Sequence, residues 1–200
     1  MASYFRQQLE NHLATIDVSG RVLDIGGSQK GLKGRTKSWE PSEYKIMDVE
    51  NRGEEVDYVM DIQKTNDISV HRGEVFFGKV SLKQFDMVFC LEVMEYLYDP
   101  MTAIRNMARF TRSGGMLVIS FPFVYPLHPP RGTDYLRYTK YGAIKLLERN
   151  GFQVVKYMPR HFNGITQWDQ LIKAEGYRFD KSEDTDVLNE NGCLIVATKI

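Results

Sequence analysis

The stretch Val22–Gly27, VLDIGG, decides how the rest of this 200-residue chain is read. Arg21–Ile25 is a short apolar run that reads as a buried strand, and it carries a carboxylate, Asp24, just before two glycines. Glycine has no Cβ and tolerates positive φ, so a strand that turns through Gly26-Gly27 brings bare backbone close to a ligand. Outward from this turn, apolar runs recur at Tyr44–Val49 (YKIMDV), Val56–Met60 (VDYVM), Phe85–Leu91 (FDMVFCL), Met116–Phe121 (MLVISF), Phe152–Tyr157 and Cys193–Lys199. They predict six further strands. Val75–Val80, VFFGKV, reads as a small edge strand or as part of a loop.

Helix signals separate these runs. Ser3 caps a first helix whose stripe is Phe5, Leu9, Leu13 and Ile16, and Ser19-Gly20 ends that unit. Asp99 as N-cap and Pro100 at the first position start a second helix, with Ile104, Met107 and Ala108 inward and Gly114-Gly115 as its stop. Thr139 caps a third, running through Asn150 to a stop at Gly151. The segment after Gly27 holds Gly31, Gly34 and Pro41 and predicts at most a short helix; its Lys30, Lys33, Arg35 and Lys37 read as a solvated basic face. Strands alternating with crossovers predict an α/β fold: a three-layer Rossmann-like sandwich around a mostly parallel seven-stranded sheet whose last strand is antiparallel. One domain spans residues 1–200, with 1–19 as a covering helix and 158–192 as a long connection. That connection carries WDQLIKAEGY, read as a short helix, and an exposed KSEDTD.

Bulk chemistry narrows the function classes. Lys+Arg and Asp+Glu number 26 each, so the net charge is zero, which argues against a nucleic-acid partner. Two cysteines, Cys90 and Cys193, lie far apart without metal-type spacing, which predicts a reducing, cytoplasmic setting and no metal site. No apolar run approaches the roughly 18 residues of a membrane helix. The expected assembly is a monomer or homodimer.

In an open parallel sheet, ligands bind outside the carboxyl ends of the strands. Those ends carry Asp24, Gly26, Gly27 and Ser28; Asp48; Asp61 and Ile62; and Cys90, Leu91 and Glu92. Asp48 follows Asp24 by 24 residues, a spacing that suits hydrogen bonds to a ribose diol. That fits NAD as well as S-adenosylmethionine. A dinucleotide's pyrophosphate wants G-x-G-x-x-G and a helix N-terminus, whereas GGSQKGL lacks that spacing. A carboxylate just before the turn suits a ligand with an ammonium and a cationic centre, and S-adenosylmethionine has both and no phosphate. The residues favour it over NAD.

VLDIGG, IMDVE, VMDIQ, FDMVFCLEVMEYLYDP and GGMLVISFPF, in that order, resemble the class I S-adenosylmethionine-dependent methyltransferases, small single-domain members in particular. The resemblance covers roughly residues 20–157. It implies that Asp24, Gly26, Gly27 and Ser28 hold the methionine part, that Asp48 binds the ribose hydroxyls, and that Val49 lies against the adenine. It implies further that Asp61 accepts from the adenine amino group, that Ile62 packs on the ring, and that Cys90 and Leu91 contact the amino end through backbone, with Glu92 beside them. Ser28 and Lys30 stand where the family pattern has glycine, and Glu95-Tyr96 stands for its usual Glu-His. Cys90 otherwise reads as a small core residue, and Glu92 and Glu95 as acids of a helix first turn.

A second rich stretch is Phe121–Thr139, FPFVYPLHPPRGTDYLRYT. It reads as the substrate wall, with Tyr125, His128, Asp134, Arg137 and Tyr138 as binding residues and His128 as general base, its ordinary pKa lying near neutrality. Asp134 and Arg137, three apart, read alternatively as an internal brace. Similar stretches in methyltransferases of this type imply a small-molecule or glycan-type acceptor, methylated on oxygen. Two other readings stay open: a protein that binds the cofactor without chemistry, and an NAD-dependent oxidoreductase.

Overall fold

The computed structural model of the chain describes residues 3–51, 55–64, 68–77, 80–127, 131–162 and 190–200. In chain order its elements are α1 (Tyr4–Leu13), β1 (Asp17–Ile25), β2 (Ser38–Asp48), β3 (Tyr58–Val59), β4 (Ile68–His71), β5 (Glu74–Phe77), β6 (Val80–Lys83), β7 (Phe85–Cys90), α2 (Pro100–Phe110), β8 (Thr111–Pro122), α3 (Lys140–Glu148), β9 (Phe152–His161) and β10 (Glu190–Lys199). Seven strands form one sheet in the order β3-β2-β1-β7-β8-β10-β9. All neighbours are parallel except β10, which is antiparallel to both β8 and β9. The order reverses between β1 and β7, so a crevice opens there at the carboxyl ends. This is the predicted Rossmann-like sheet with an antiparallel last strand.

Strand alternation supplies the two faces. Leu23 and Ile25 of β1, with Val88, Ile119 and Ile195, pack against Ile104, Met107 and Phe110 of α2 and Leu147 of α3. Val22, Met87, Phe89, Val118 and Leu194 pack on the other side against Leu9 and Leu13 of α1. The Ser3 hydroxyl accepts from Arg6 N–H, the Asp99 carboxylate from Thr102 N–H and the Thr139 hydroxyl from Gly142 N–H, so all three predicted N-caps form.

Several boundaries differ from expectation. Ser19-Gly20 does not end a unit but lies inside β1, which starts at Asp17. Gly20 takes φ +73° there, and a Cβ on it would stand 2.5 Å from Asp86 Oδ2. α2 stops at Phe110, before Gly114-Gly115, because Thr111 turns extended and its hydroxyl donates to Met107 O at 2.8 Å. Both glycines lie within β8. The third strand shrinks to Tyr58–Val59, since Asp57 turns its carboxylate onto Ile46 N–H at 2.8 Å and Lys45 at 2.6 Å. Of VFFGKV, Val75–Phe77 lies in β5 and Val80 opens β6 of a separate three-stranded antiparallel sheet, β4-β5-β6, and Gly78-Lys79 lies outside the described residues. β9 and β10 reach His161 and Glu190, beyond the predicted ends. The stretches WDQLIKAEGY and KSEDTD lie outside the described residues. Among the described residues no helix is long and apolar enough to cross a membrane.

Candidate functional site

At the carboxyl ends of β1, β2, β7 and β8 lies a cavity of about 820 Å³. Asp24, Gly26, Gly27, Asp48, Val49, Asp61, Ile62, Leu91, Glu92 and Tyr125 all line it. Ser28 and Cys90 do not: Ser28 is buried beneath the turn, and Cys90 is a core residue whose thiol burial pushes well up.

The turn after β1 has room for glycine alone. Gly26 takes φ +82°, donates its N–H to Met47 O at 2.8 Å, and a Cβ on it would meet Val93 Cγ2 at 2.3 Å. A Cβ on Gly27 would stand 2.5 Å from Asp24 Oδ2. Asp24 is itself buried and accepts from the Tyr44 hydroxyl at 2.7 Å. At the end of β2, Asp48 accepts from Val49 N–H at 2.7 Å and from Ser28 N–H at 3.2 Å, which ties the acid to the glycine turn. After β3, Asp61 accepts from Gln63 N–H at 3.0 Å, and Ile62 O takes the Asn106 side-chain amide of α2 at 2.7 Å.

The end of β7 holds features that sequence reading missed. Glu92 sits in the left-handed region at φ +55°. Its N–H donates to Ser120 Oγ at 2.7 Å, and its Oε1 accepts from that hydroxyl at 3.0 Å and from Arg160 Nη1 at 2.9 Å. Arg160, from β9, is fully buried, with its guanidinium 3.5 Å over the Phe5 ring of α1. Arg160→Ala strips the buried guanidinium from Glu92 and the stack from Phe5. It is expected to lower the unfolding free energy by about 3 kcal/mol in denaturant titration. Nothing local marks Arg160, because its partners lie far away in sequence.

Glu95 was read only as a first-turn acid. It occupies a single 3-10 turn, Met94–Tyr96, and lines the cavity while only 7% exposed. Burial, and next the Glu92 carboxylate, push its carboxyl up to about 7. Burial and the neighbouring Glu95 push the Tyr96 hydroxyl up to about 12.

The predicted substrate wall divides. Tyr125 lines the cavity, its ring 4.7 Å from Phe5. Asp134, Arg137 and Tyr138 are not among its lining residues. Asp134 is buried and pairs with Arg137 through two bonds, Oδ1 to Nη1 and Oδ2 to Nη2, and a buried carboxylate requires such a partner. Arg137 also donates to Tyr125 O at 3.3 Å, and the Tyr138 hydroxyl donates to Met94 O at 3.0 Å. The three brace the loop. His128 lies outside the described residues. Tyr98 and Tyr135 line the cavity as an edge-to-face pair 6.1 Å apart.

α1 closes one side, for Ser3, Phe5 and Arg6 line the cavity too. The basic cluster is only partly a solvated face: Lys30 and Arg35 turn onto Glu10 of α1 at 3.0 and 2.9 Å. Burial raises the Glu10 carboxyl, but its bonds from Arg35 and Lys30 outweigh that and hold it at about 2.

A crevice at the strand-order switch, a bare glycine turn and acids at three successive strand ends define a nucleotide-type site on a Rossmann-like fold. Residues 23–119 match the family described as "Methyltransferase domain". No curated protein matches the sequence. Among solved structures, the chain is similar to a Haloferax volcanii chain in complex with the Trm112 methyltransferase activator (14% identity, 98% of this chain and 89% of that one, TM-score 0.60). It is similar to the N-methyltransferase NodS of Bradyrhizobium japonicum WM9 in complex with S-adenosyl-L-homocysteine (17% identity, 98% and 85%, TM-score 0.54). A third is the StiE O-MT, residues 961–1257 (15% identity, 97% and 73%, TM-score 0.53). The matched domain is a methyltransferase domain, and the fold is that of solved methyltransferase structures, one of which holds S-adenosyl-L-homocysteine, consistent with S-adenosylmethionine as cofactor. The turn fits such a ligand, since Gly26 and Gly27 line the cavity beside the Asp24 carboxylate and pack too tightly on Val93 and Asp24 to carry a side chain.

Proposed function

We propose that this protein transfers the methyl group of S-adenosylmethionine to a small-molecule or glycan-type acceptor, at oxygen. The observation that supports it is one cavity lined both by the strand-end acids Asp24, Asp48 and Asp61 and by Glu92 and Glu95 with the aromatic Tyr98, Tyr125 and Tyr135. In this reading Asp24 and the backbone of Gly26 and Gly27 hold the methionine part, Asp48 the ribose hydroxyls, and Asp61 and Ile62 the adenine. Bound S-adenosylmethionine supplies a carbon already activated by positive sulfur. The protein's task is then to align the acceptor and exclude water. Phe5 of α1 and Tyr125 cover the site from one side, and the Asp134–Arg137 pair stiffens the loop that carries Tyr125. Aromatic faces beside carboxyl groups suit a polyhydroxy acceptor, whose apolar ring faces stack while its hydroxyls donate.

The test incubates the protein and S-adenosylmethionine with methyl glycosides, phenols and primary amines, and identifies products by mass spectrometry. Methyl ethers are expected. Methylated amines alone would refute the oxygen assignment, and cofactor binding with no turnover would favour the binding-only reading.

A further inference from the structure

We propose that Glu95 senses the charge of the methyl donor. It gives up its proton when the cationic sulfonium enters the cavity and keeps it when the uncharged thioether product does, which sets the preference for donor over product. The proposal rests on reading the cavity as the S-adenosylmethionine pocket.

Glu95 lies two residues beyond the contact between two turns: Val93 Cγ2 stands 2.3 Å from where a Gly26 Cβ would be. Glu95 and Asp24 line the same cavity, and the charges of both add to burial in pushing the Cys90 thiol up. Glu95 Oε2 is enclosed and has no hydrogen-bond partner among the described residues. Glu92 differs, because Arg160 and Ser120 hold its carboxylate.

The charged and titratable groups that face Glu95 can be named element by element. Its own turn supplies Glu92 and Tyr96, β7 supplies Cys90, the segment before α3 supplies Asp134, Arg137 and Tyr138, and β9 supplies Arg160. Arg137 is engaged by Asp134, and Arg160 gives Nη1 to Glu92, while its Nε and Nη2 have no partner among the described residues. Arg160 favours an ionised Glu95, but burial and the neighbouring carboxylates outweigh it, and a sulfonium in the cavity adds a further opposite charge that lowers the carboxyl's pKa. Donor and product carry the same ammonium and carboxylate, so the difference between them isolates the sulfonium.

The sign follows from linkage. Glu95 is neutral in the empty cavity up to about pH 7, so donor affinity rises with pH between the ordinary carboxyl value of 4.5 and about 7, and is flat above. Product affinity stays flat throughout.

The test is calorimetric titration of the whole protein with S-adenosylmethionine and with S-adenosylhomocysteine at about pH 6, in buffers of different ionisation enthalpy, which counts protons. The expected result is release approaching one proton to buffer for each donor bound and about none for product. Donor affinity should rise about tenfold or more from pH 5 to 8. Glu95→Gln, neutral and of the same shape, should abolish the release and flatten the profile while product still binds. Equal proton counts for the two ligands, or a release that survives in Glu95→Gln, overturns the proposal. Should the variant not fold, the wild-type counts decide alone. Failure of either ligand to bind refutes the pocket assignment itself, and the proposal with it.

Discussion

Asp48→Ala is expected to lower the affinity for S-adenosylmethionine about a hundredfold. The acid stands at the end of β2, lines the cavity, and keeps both carboxylate oxygens on one side through Val49 N–H and Ser28 N–H. Two ribose hydroxyls donating to a carboxylate contribute about 3 kcal/mol together, which is about two orders of magnitude in Kd. Alanine also frees Ser28 N–H, so the glycine turn loosens and the loss is not offset by rearrangement. Asp48→Asn keeps the shape and one acceptor oxygen, and should lose less. Calorimetry on the two variants checks this, and equal, near-wild-type affinities would place the ribose elsewhere.

Gly27→Ala is expected to remove most cofactor binding and about 2 kcal/mol of stability. The added Cβ would lie 2.5 Å from Asp24 Oδ2 and 2.6 Å from its Cγ. Asp24 cannot step aside, because it is buried and bonded to Tyr44. One methyl group therefore displaces both the backbone cradle and the carboxylate assigned to the methionine ammonium. Gly34→Ala is the control. Gly34 also has a positive φ, +79°, but nothing lies within 4 Å of its Cβ position. It should lose only the roughly 1 kcal/mol of left-handed strain and bind cofactor normally. Thermal melts with and without S-adenosylmethionine separate the two variants, since only Gly34→Ala retains the ligand-induced rise in Tm.

What could be read from the chain was local. VLDIGG shows a strand, an acid and a bare turn within six residues, and the acids after β2 and β3 follow from where apolar runs stop. The parallel order and the antiparallel last strand follow from alternation. Distant partners left no such mark. Glu92 takes its role from Ser120 and from Arg160, 68 residues away. Glu95 looks like any helix-start acid until burial and Glu92 act on it. Gly114-Gly115 looked like a helix stop, yet Thr111 ended α2 first through its own hydroxyl. Asp134 and Arg137 carried two readings, since spacing alone cannot separate a pair that faces a ligand from one that faces itself. The buried Asp134 carboxylate decides for the brace.

The turn after β1 is expected to bind a sulfonium nucleoside and not a dinucleotide. Calorimetric titration of the whole protein with S-adenosylmethionine and, separately, with NAD tests it most directly. Saturable one-to-one binding of S-adenosylmethionine, lost in Asp48→Ala, with no heat from NAD, is the predicted result. Binding of NAD without S-adenosylmethionine, or of neither, would contradict it.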